Sequence, residues 1–363
     1  MRITEYFHSA QGRFVVQWHI TERCNWSCKH CYRDYNRIKD LPLNSLKNIL
    51  SQCIELFQIL HINTPHINIG GGEPFMRKDL FKFFELLDKY QNLRVGVMTN
   101  GSFITKEIAH RLSKIKVIKG IQVSLEGMED VNDAIRGKGA FKTTVKAIEL
   151  LRKYNIFTRV SMTVMKLNVK DVEPLAVFLK KIGINAFGAR RYVPLGKGKQ
   201  LGKFMLSPQE TKDFYLKREG LANKLDKKGE FYITYGCEDG ILIQEKDKIS
   251  KKRFPYLLNA VCAVTTGRTF TIFTNGDILA CRRFPVKIGN VLKQNLSEIY
   301  LFSSKLQKIR SSDNVHPLCK DCSFFDNCLG GAKCISYAYF KNFSAPDPQC
   351  WKLFKNLPEY GII

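Results

Sequence analysis

No stretch of this chain stays apolar long enough to cross a membrane. The N-terminal residues Met1-Arg2-Ile3-Thr4-Glu5-Tyr6-Phe7-His8 also lack the apolar run of a secretory signal. Both absences lead us to expect a cytoplasmic protein. Acidic side chains are the scarce charge: 33 Asp and Glu stand against 58 Lys and Arg, for a formal net charge of +25. Such a surplus attracts polyanions and acidic proteins. The candidates are an acidic peptide, an acidic redox partner or nucleic acid, beside a merely solvated lysine-rich surface. Also missing is any stripe where basic residues gather and interleave with aromatics, so nucleic acid is the weakest of these. Apolar residues at 44% and aromatics at 12% exclude a disordered chain. The 363 residues suffice for one large domain and a smaller one.

Cysteine is plentiful. Twelve thiols in a chain expected in a reducing compartment point to metal or redox chemistry rather than disulfides. Three of them fall in Cys24-Asn25-Trp26-Ser27-Cys28-Lys29-His30-Cys31, separated by three and two residues. Thiolates at this pitch can hold three corners of a cubane iron–sulfur cluster, leaving one iron open to a non-protein ligand. Taken alone, the loop also reads as a zinc site completed by His19 or His30.

Around this loop the chain alternates. Strands are predicted at 14–20, 66–70, 94–98, 120–125, 157–164 and 185–192. Leu43, Leu46, Ile49, Leu50, Ile54 and Phe57 recur at helical spacing, and further helices are expected near 78–90, 105–114, 141–154 and 171–182. Cys53 lies inside the first helix and reads as a buried, unreactive thiol. Strands alternating with helices imply a parallel sheet with right-handed crossovers. Six units fall short of the eight that close a barrel, so an open partial barrel with a lateral mouth is expected, its chemistry on the loops after the strands.

The candidate motifs fall on those loops. Gly70-Gly71-Gly72-Glu73-Pro74 ends the second strand, Met98-Thr99-Asn100-Gly101 the third, and Ser124-Leu125-Glu126-Gly127 the fourth. Glycines let backbone groups approach a ligand closely, and a carboxylate beside them can accept a hydrogen bond from an ammonium. The C-x3-C-x2-C loop, with His30 before its last cysteine, together with the Gly-Gly-Glu-Pro element, resembles the radical S-adenosylmethionine (radical SAM) superfamily. The resemblance spans about residues 14–195 and displaces the zinc reading of the loop. It implies that Cys24, Cys28 and Cys31 hold a 4Fe–4S cluster whose open iron binds the amino and carboxylate groups of SAM. It implies that Gly71, Gly72, Glu73 and Pro74 bind the methionine amino group, with Thr99 and Asn100 as further cofactor contacts. Ser124 and Glu126 match the family's ribose-binding element, with Glu in place of Asp. Arg136 reads either as a partner of the methionine carboxylate or as a surface arginine.

Residues 188–203 (GARRYVPLGKGKQLGK) read as a linker leaving the barrel or as a docking strip for an acidic partner, Arg190 and Arg191 included. A charged helix is expected at 208–228, with Pro208 near its start. From residue 260 cysteines return. Cys262 precedes thirteen residues, Gly276, four residues and Cys281, and Asn275-Gly276 is a strong hairpin signal between Thr269–Phe273 and Asp277–Cys281. Cys319, Cys322, Cys328, Cys334 and Cys350 follow. Zinc ribbons use such Cys-x2-Cys pairs, but the order resembles the SPASM domain of peptide-modifying maturases. One spacing departs from it: five residues separate Cys328 from Cys334 where the family usually has three. The resemblance implies one auxiliary 4Fe–4S cluster on Cys262, Cys281 and Cys334, and a second on Cys319, Cys322, Cys328 and Cys350. Arg282-Arg283 would steer an acidic substrate, tune a cluster potential, or simply face solvent.

Two closed cubes need eight protein ligands and the C-terminal pattern supplies seven. Cys237, flanked by Gly236 and Gly240, is therefore expected to be the fourth ligand of the first auxiliary cluster. A hydrogen-atom donor and a core thiol are its alternatives. The expected architecture is a partial (β/α)6 TIM-like barrel at 1–200, a bridging region at 201–260 and a two-cluster SPASM domain at 261–363. The family implies reductive cleavage of SAM to a 5′-deoxyadenosyl radical that modifies a ribosomally made peptide or protein side chain. Tetrapyrrole side-chain oxidation is the alternative among enzymes, and a non-catalytic metal-binding or electron-transfer protein the alternative outside them. Expected partners are a peptide with an acidic leader and an acidic flavodoxin or ferredoxin. About 13 residues precede the first strand, too few for a leader-recognition domain, so a separate recognition protein is also expected.

Overall fold

Strand β1 (Val15–Thr21) lies inside the sheet, paired on both sides, and delivers the chain into the cysteine loop. Its Val16, Trp18 and Ile20 are buried, as the period-2 alternation of a strand requires. The computed structural model describes residues 14–34, 39–226 and 230–358. On one side of β1 lies β2 (His66–Gly71), followed in chain order by β3 (Arg94–Thr99), β4 (Ile118–Ser124), β5 (Thr158–Val164) and β6 (Ala186–Arg191), all parallel. These six strands stand where the alternating pattern predicts them. A two-residue strand, β7 (Tyr232–Ile233), adds parallel to β6.

On the other side β1 pairs with β8 (Thr269–Ile272), again in parallel, and antiparallel β9 (Asp277–Cys281) and β10 (Phe284–Asn290) complete a ten-stranded sheet. The β8–β9 hairpin turns at Asn275-Gly276 as expected, with Gly276 at φ +79°. The C-terminal hairpin thus extends the barrel's own sheet.

Helices α1 (Leu43–Ile59), α2 (Leu80–Asp88), α3 (Lys106–Ser113), α4 (Glu129–Arg136), α5 (Ala140–Lys153) and α6 (Val172–Lys181) accompany the six strands. In α1 the buried set Leu46, Ile49, Leu50, Cys53, Leu56 and Phe57 forms one stripe against the sheet. Cys53 is fully enclosed there, and burial pushes its thiol well up, as a core thiol requires. Helix α7 (Pro208–Leu225) begins with a Ser207/Glu210 capping box and Pro208 at its first position. Short helices α8 (Phe254–Leu258), α9 (Leu296–Phe302), α10 (Ser304–Arg310), α11 (Pro317–Lys320), α12 (Phe325–Cys328) and α13 (Lys333–Phe340) build the C-terminal part. No helix among the described residues is long and apolar enough to cross a membrane. Residues 1–13, on which the signal-sequence expectation rests, and 227–228 of the expected helix lie outside the described residues.

Residues 188–203 correct the sequence reading. They are not a linker leaving the barrel: the first four finish β6, and Gly196–Phe204 coil into 3-10 turns strapped over the cysteine loop. The Gly198 amide donates to the Cys31 carbonyl (2.8 Å), and Lys197 Nζ reaches Ser27 Oγ (2.5 Å). Gly196 sits at φ +52°, where a Cβ would collide with the Tyr32 backbone. Arg191, expected in a solvent-facing strip, is completely buried, and Arg190 points into the barrel.

Candidate active site

At the C-terminal ends of the strands a cavity of about 210 Å³ opens between the cysteine loop, the strand ends and the β9–β10 turn. Cys24, Cys28 and Cys31 line it together, so the three thiols share one wall. The loop is fixed from several sides. Lys29 N donates to the Ile135 carbonyl (3.0 Å), and Asn100 Nδ2 to Asn25 Oδ1 (2.9 Å). Burial pushes the Cys24 thiol up to about 11. Metal binding offsets such a penalty because it stabilises the thiolate.

Gly71, Gly72, Thr99, Asn100, Ser124, Glu126 and Arg136 also line this cavity, whereas Glu73 and Pro74 are buried outside it. Gly71 and Gly72 are required by the turn itself. A Cβ at Gly71 would strike the Thr21 carbonyl, and one at Gly72 the Arg23 carbonyl, because β2 exits directly against the end of β1. The glycines thus let β2 close onto the end of β1 while their backbone also lines the cavity. The Glu73 carboxylate accepts from Thr99 Oγ1 (2.8 Å), Asn100 N (2.7 Å) and Phe75 N (3.2 Å). Burial nevertheless pushes its pKa up to about 7. Its place is behind the turn, and the Gly71-Gly72 backbone is what faces the cavity.

Glu126 is likewise engaged. Oε1 meets His30 Nε2 (3.2 Å) and Arg136 Nη2 (2.9 Å), while Thr163 N donates to Oε2 (2.6 Å). Although burial works against the charge, His30 and Arg136 hold this carboxyl down at about 2. Glu126 thus ties the cysteine loop, through His30, to β5. Arg136 is buried, not a surface arginine, and its guanidinium also lies 5.9 Å from the Trp26 ring centroid.

Two smaller hollows collect the other cysteines. Cys237, Cys262, Cys281 and Cys334 line one; Cys319, Cys322, Cys328 and Cys350 line the other. Among the described residues no three His, Cys, Asp or Glu side chains stand closely enough to hold a single metal ion. All-sulfur donors around a hollow suit an iron–sulfur cube better than a zinc ion, whose ligands converge within about 2.0–2.3 Å of one point. The long Cys328–Cys334 spacing is absorbed by a left-handed run, Leu329 (φ +52°), Gly330 (+79°) and Gly331 (+80°), which turns Cys334 towards the first hollow. Arg283 and Glu238 pair (2.7 Å) beside that hollow, bridging the β9–β10 turn to the segment after β7.

Several site residues escaped the sequence reading. Lys333 is buried between the hollows, its Nζ without a hydrogen-bond partner, and burial lowers its pKa. Gln122, Ser161 and Thr163 line the main cavity from β4 and β5. Their signal is there in retrospect: polar Arg159, Ser161 and Thr163 alternate with apolar Val160, Met162 and Val164.

Comparison with known proteins agrees with this anatomy. The Radical SAM superfamily matches residues 18–179, and the SPASM iron–sulfur cluster-binding domain matches residues 262–323. Mycofactocin maturase MftC of Mycolicibacterium smegmatis is 28% identical over 96% of this chain and 86% of its own. The AdoMet-dependent heme synthase of Methanosarcina barkeri is 26% identical over 93% and 95%. Among solved structures, Streptococcus suis SuiB bound to precursor peptide SuiA superposes with a TM-score of 0.72 at 18% identity, covering 93% of this chain and 76% of that one. With the two models matched in order, over the stretches where the thiols gather, the chain carries a radical SAM superfamily domain followed by a SPASM iron–sulfur cluster-binding domain.

Proposed function

We propose that this enzyme modifies a ribosomally synthesised peptide by radical chemistry. When bound, a 4Fe–4S cluster and SAM supply the reductive cleavage that yields a 5′-deoxyadenosyl radical. Cys24, Cys28 and Cys31 would hold that cluster; Gly71 and Gly72 would present backbone to the methionine amino group, and Ser124 a hydroxyl to the ribose. Glu126, His30 and Arg136 keep the loop and the cavity wall in register. Cys237, Cys262, Cys281 and Cys334 would hold one auxiliary cluster, and Cys319, Cys322, Cys328 and Cys350 the other. The observation that carries the reading is one cavity shared by the thiol triad and by Arg282 and Arg283 of the C-terminal part, with a four-thiol hollow directly behind Arg283.

A peptide is favoured by the maturase relative and by the peptide-bound structural neighbour. The net charge of +25 suits an acidic leader and an acidic flavodoxin or ferredoxin donor. A separate leader-recognition protein and a reducing, cytoplasmic setting complete the proposal. The test is anaerobic incubation of reconstituted enzyme, SAM and reductant with peptides encoded beside the gene, read by mass spectrometry. A Cys24-dependent mass change in one peptide is expected. Inert peptides, with turnover of an iron–coproporphyrin instead, would replace this proposal with tetrapyrrole side-chain oxidation, the activity suggested by the heme-synthase relative.

A further inference from the structure

Arg190, Arg191, Arg282 and Arg283 line the cavity and Arg159 adjoins Arg190 beneath it, with three acidic groups, Asp347, Glu238 and Asp239, among them. Arg191 is matched by Asp347 (2.8 Å) and Arg283 by Glu238 (2.7 Å). Asp239 is consumed by Arg218 (2.8 Å), Tyr215 Oη (2.9 Å) and Gly236 N (2.7 Å), which leaves it 3.8 Å from Arg190 Nη1. Arg282 rests on the Met98 sulfur. Arg159 and Arg190 have no hydrogen-bonded carboxylate of their own: Glu238 acts on both from a distance but is bonded to Arg283. Arg159 Nε and Arg190 Nη1 are buried with no hydrogen-bond acceptor, and Arg190 Nη2 has only the Thr234 hydroxyl (3.0 Å).

These two guanidiniums converge. Thr163 pairs with Arg190, Ser161 with Gly188, and Arg159 with Ala186 across β5 and β6. Arg159 therefore shares the inward face with Ser161 and Thr163, one pleat (about 6.6 Å) below Ser161. Gly188 leaves the gap between them. A Cβ there would lie 2.9 Å from Arg159 Nη2 and 3.0 Å from Arg190 Nη2. Two like charges then face one space at separations of about 6 Å or less, where their repulsion is appreciable in a dry site. Burial, then Arg190 and Arg282, pushes Arg159 down to about 9. The first hollow does not account for this surplus, since the arginine acting most on its thiols is Arg283.

Neutral amides and hydroxyls do not balance two half-buried cations whose inner nitrogens are shut off from water; an anion does. On a ribosomally made peptide that anion is a carboxylate, and planar guanidiniums match it. We infer that Arg159 and Arg190 form a clamp at the cavity floor for a carboxylate of the substrate, a reading that rests on the peptide assignment above. The clamp would seat an acidic side chain or the C-terminus and so fix which residue lies under the triad.

Three probes test it by isothermal titration of anaerobic, SAM-loaded holoenzyme: N-acetylglycine (free α-carboxylate), N-acetylglutamate α-amide (side-chain carboxylate) and neutral N-acetylglutamine amide. At least one charged probe is expected to bind tenfold or more tighter than the neutral one, and the winner identifies the source of the carboxylate. Arg159→Gln with Arg190→Gln should erase that preference. Gly188→Ala, which sets a methyl against both guanidiniums, should reduce it at least fivefold while sparing the neutral probe. Equal binding of all three probes by the unaltered enzyme, or a preference that survives both variants, overturns the clamp. The probes are independent of the peptide's identity. Charge-dependent binding without any peptide product would sink the peptide reading alone, and a peptide product with charge-blind probes would sink the clamp alone.

Discussion

Arg190 and Arg191 are adjacent in sequence and should respond very unequally to the same change. Arg191 is fully buried and forks onto Asp347, Nη1 to Oδ1 at 2.9 Å and Nη2 to Oδ2 at 2.8 Å, while Nη1 also reaches Gln349 Oε1 (3.0 Å) and Nη2 the Glu238 carbonyl. Asp347 in turn accepts from Ala332 N (3.2 Å), and its carbonyl takes the Cys350 amide (2.9 Å). One ion pair therefore joins β6 to residues flanking both hollows. Arg191→Met leaves the Asp347 carboxylate buried without a countercharge, a loss of about 3–5 kcal/mol. Against a typical total of about 5–15 kcal/mol, that should uncouple the C-terminal part. Arg190→Met removes one hydrogen bond but also a surplus cation, so it should stay within about 1 kcal/mol of the parent. Urea unfolding followed by circular dichroism, with auxiliary-cluster content read alongside, compares the two. Arg191→Met together with Asp347→Leu should be less damaging than Arg191→Met alone, since no uncompensated charge remains. An unfolding free energy for Arg191→Met within about 1 kcal/mol of that for Arg190→Met would refute this reasoning.

Glu126 stabilises the fold through a depressed pKa, so its contribution is complete above its ordinary value of 4.5 and shrinks as pH falls towards about 2. The melting difference between parent and Glu126→Gln should accordingly be full at pH 7 and smaller at pH 3; a constant difference would contradict the assignment. Gly196→Val forces a β-branched residue to φ +52° against Tyr32, and should free the strap and speed tryptic cleavage at Lys197, whereas the parent is protected there. Anaerobic reconstitution should load about 12 irons and 12 sulfides per chain, and about 8 of each when Cys24, Cys28 and Cys31 are all Ala; roughly 4 irons with bound zinc would overturn the auxiliary assignment. Cys237→Ala should change the auxiliary-cluster spectrum if the thiol is a ligand, and should spare it while stalling product formation if it is a hydrogen-atom donor.

The barrel was legible because each of its six strands carries a local pattern: apolar alternation, flanking turns and a helix before the next. The cysteine loop and the Asn275-Gly276 hairpin were legible for the same reason, as short-range signals. Pairing of β8 with β1 was not, since the register Val15 with Thr269 spans 254 residues and nothing local encodes it. Strand β7 has two residues, too few for any periodicity. The basic stretch at 188–203 looked like a solvated linker because composition cannot distinguish a guanidinium in water from one enclosed by Asp347 or aimed at a substrate. Cys237 emerged from counting ligands rather than from pattern, and the structure places it with Cys262, Cys281 and Cys334 in one hollow.

The central claim is that the triad supports SAM cleavage, and 5′-deoxyadenosine is its direct product. Anaerobically reconstituted protein incubated with SAM and dithionite should release 5′-deoxyadenosine, measured by liquid chromatography and mass spectrometry. The Cys24→Ala, Cys28→Ala, Cys31→Ala chain, still folded and still holding its auxiliary iron, should release none. Equal 5′-deoxyadenosine from parent and triple variant would contradict the account.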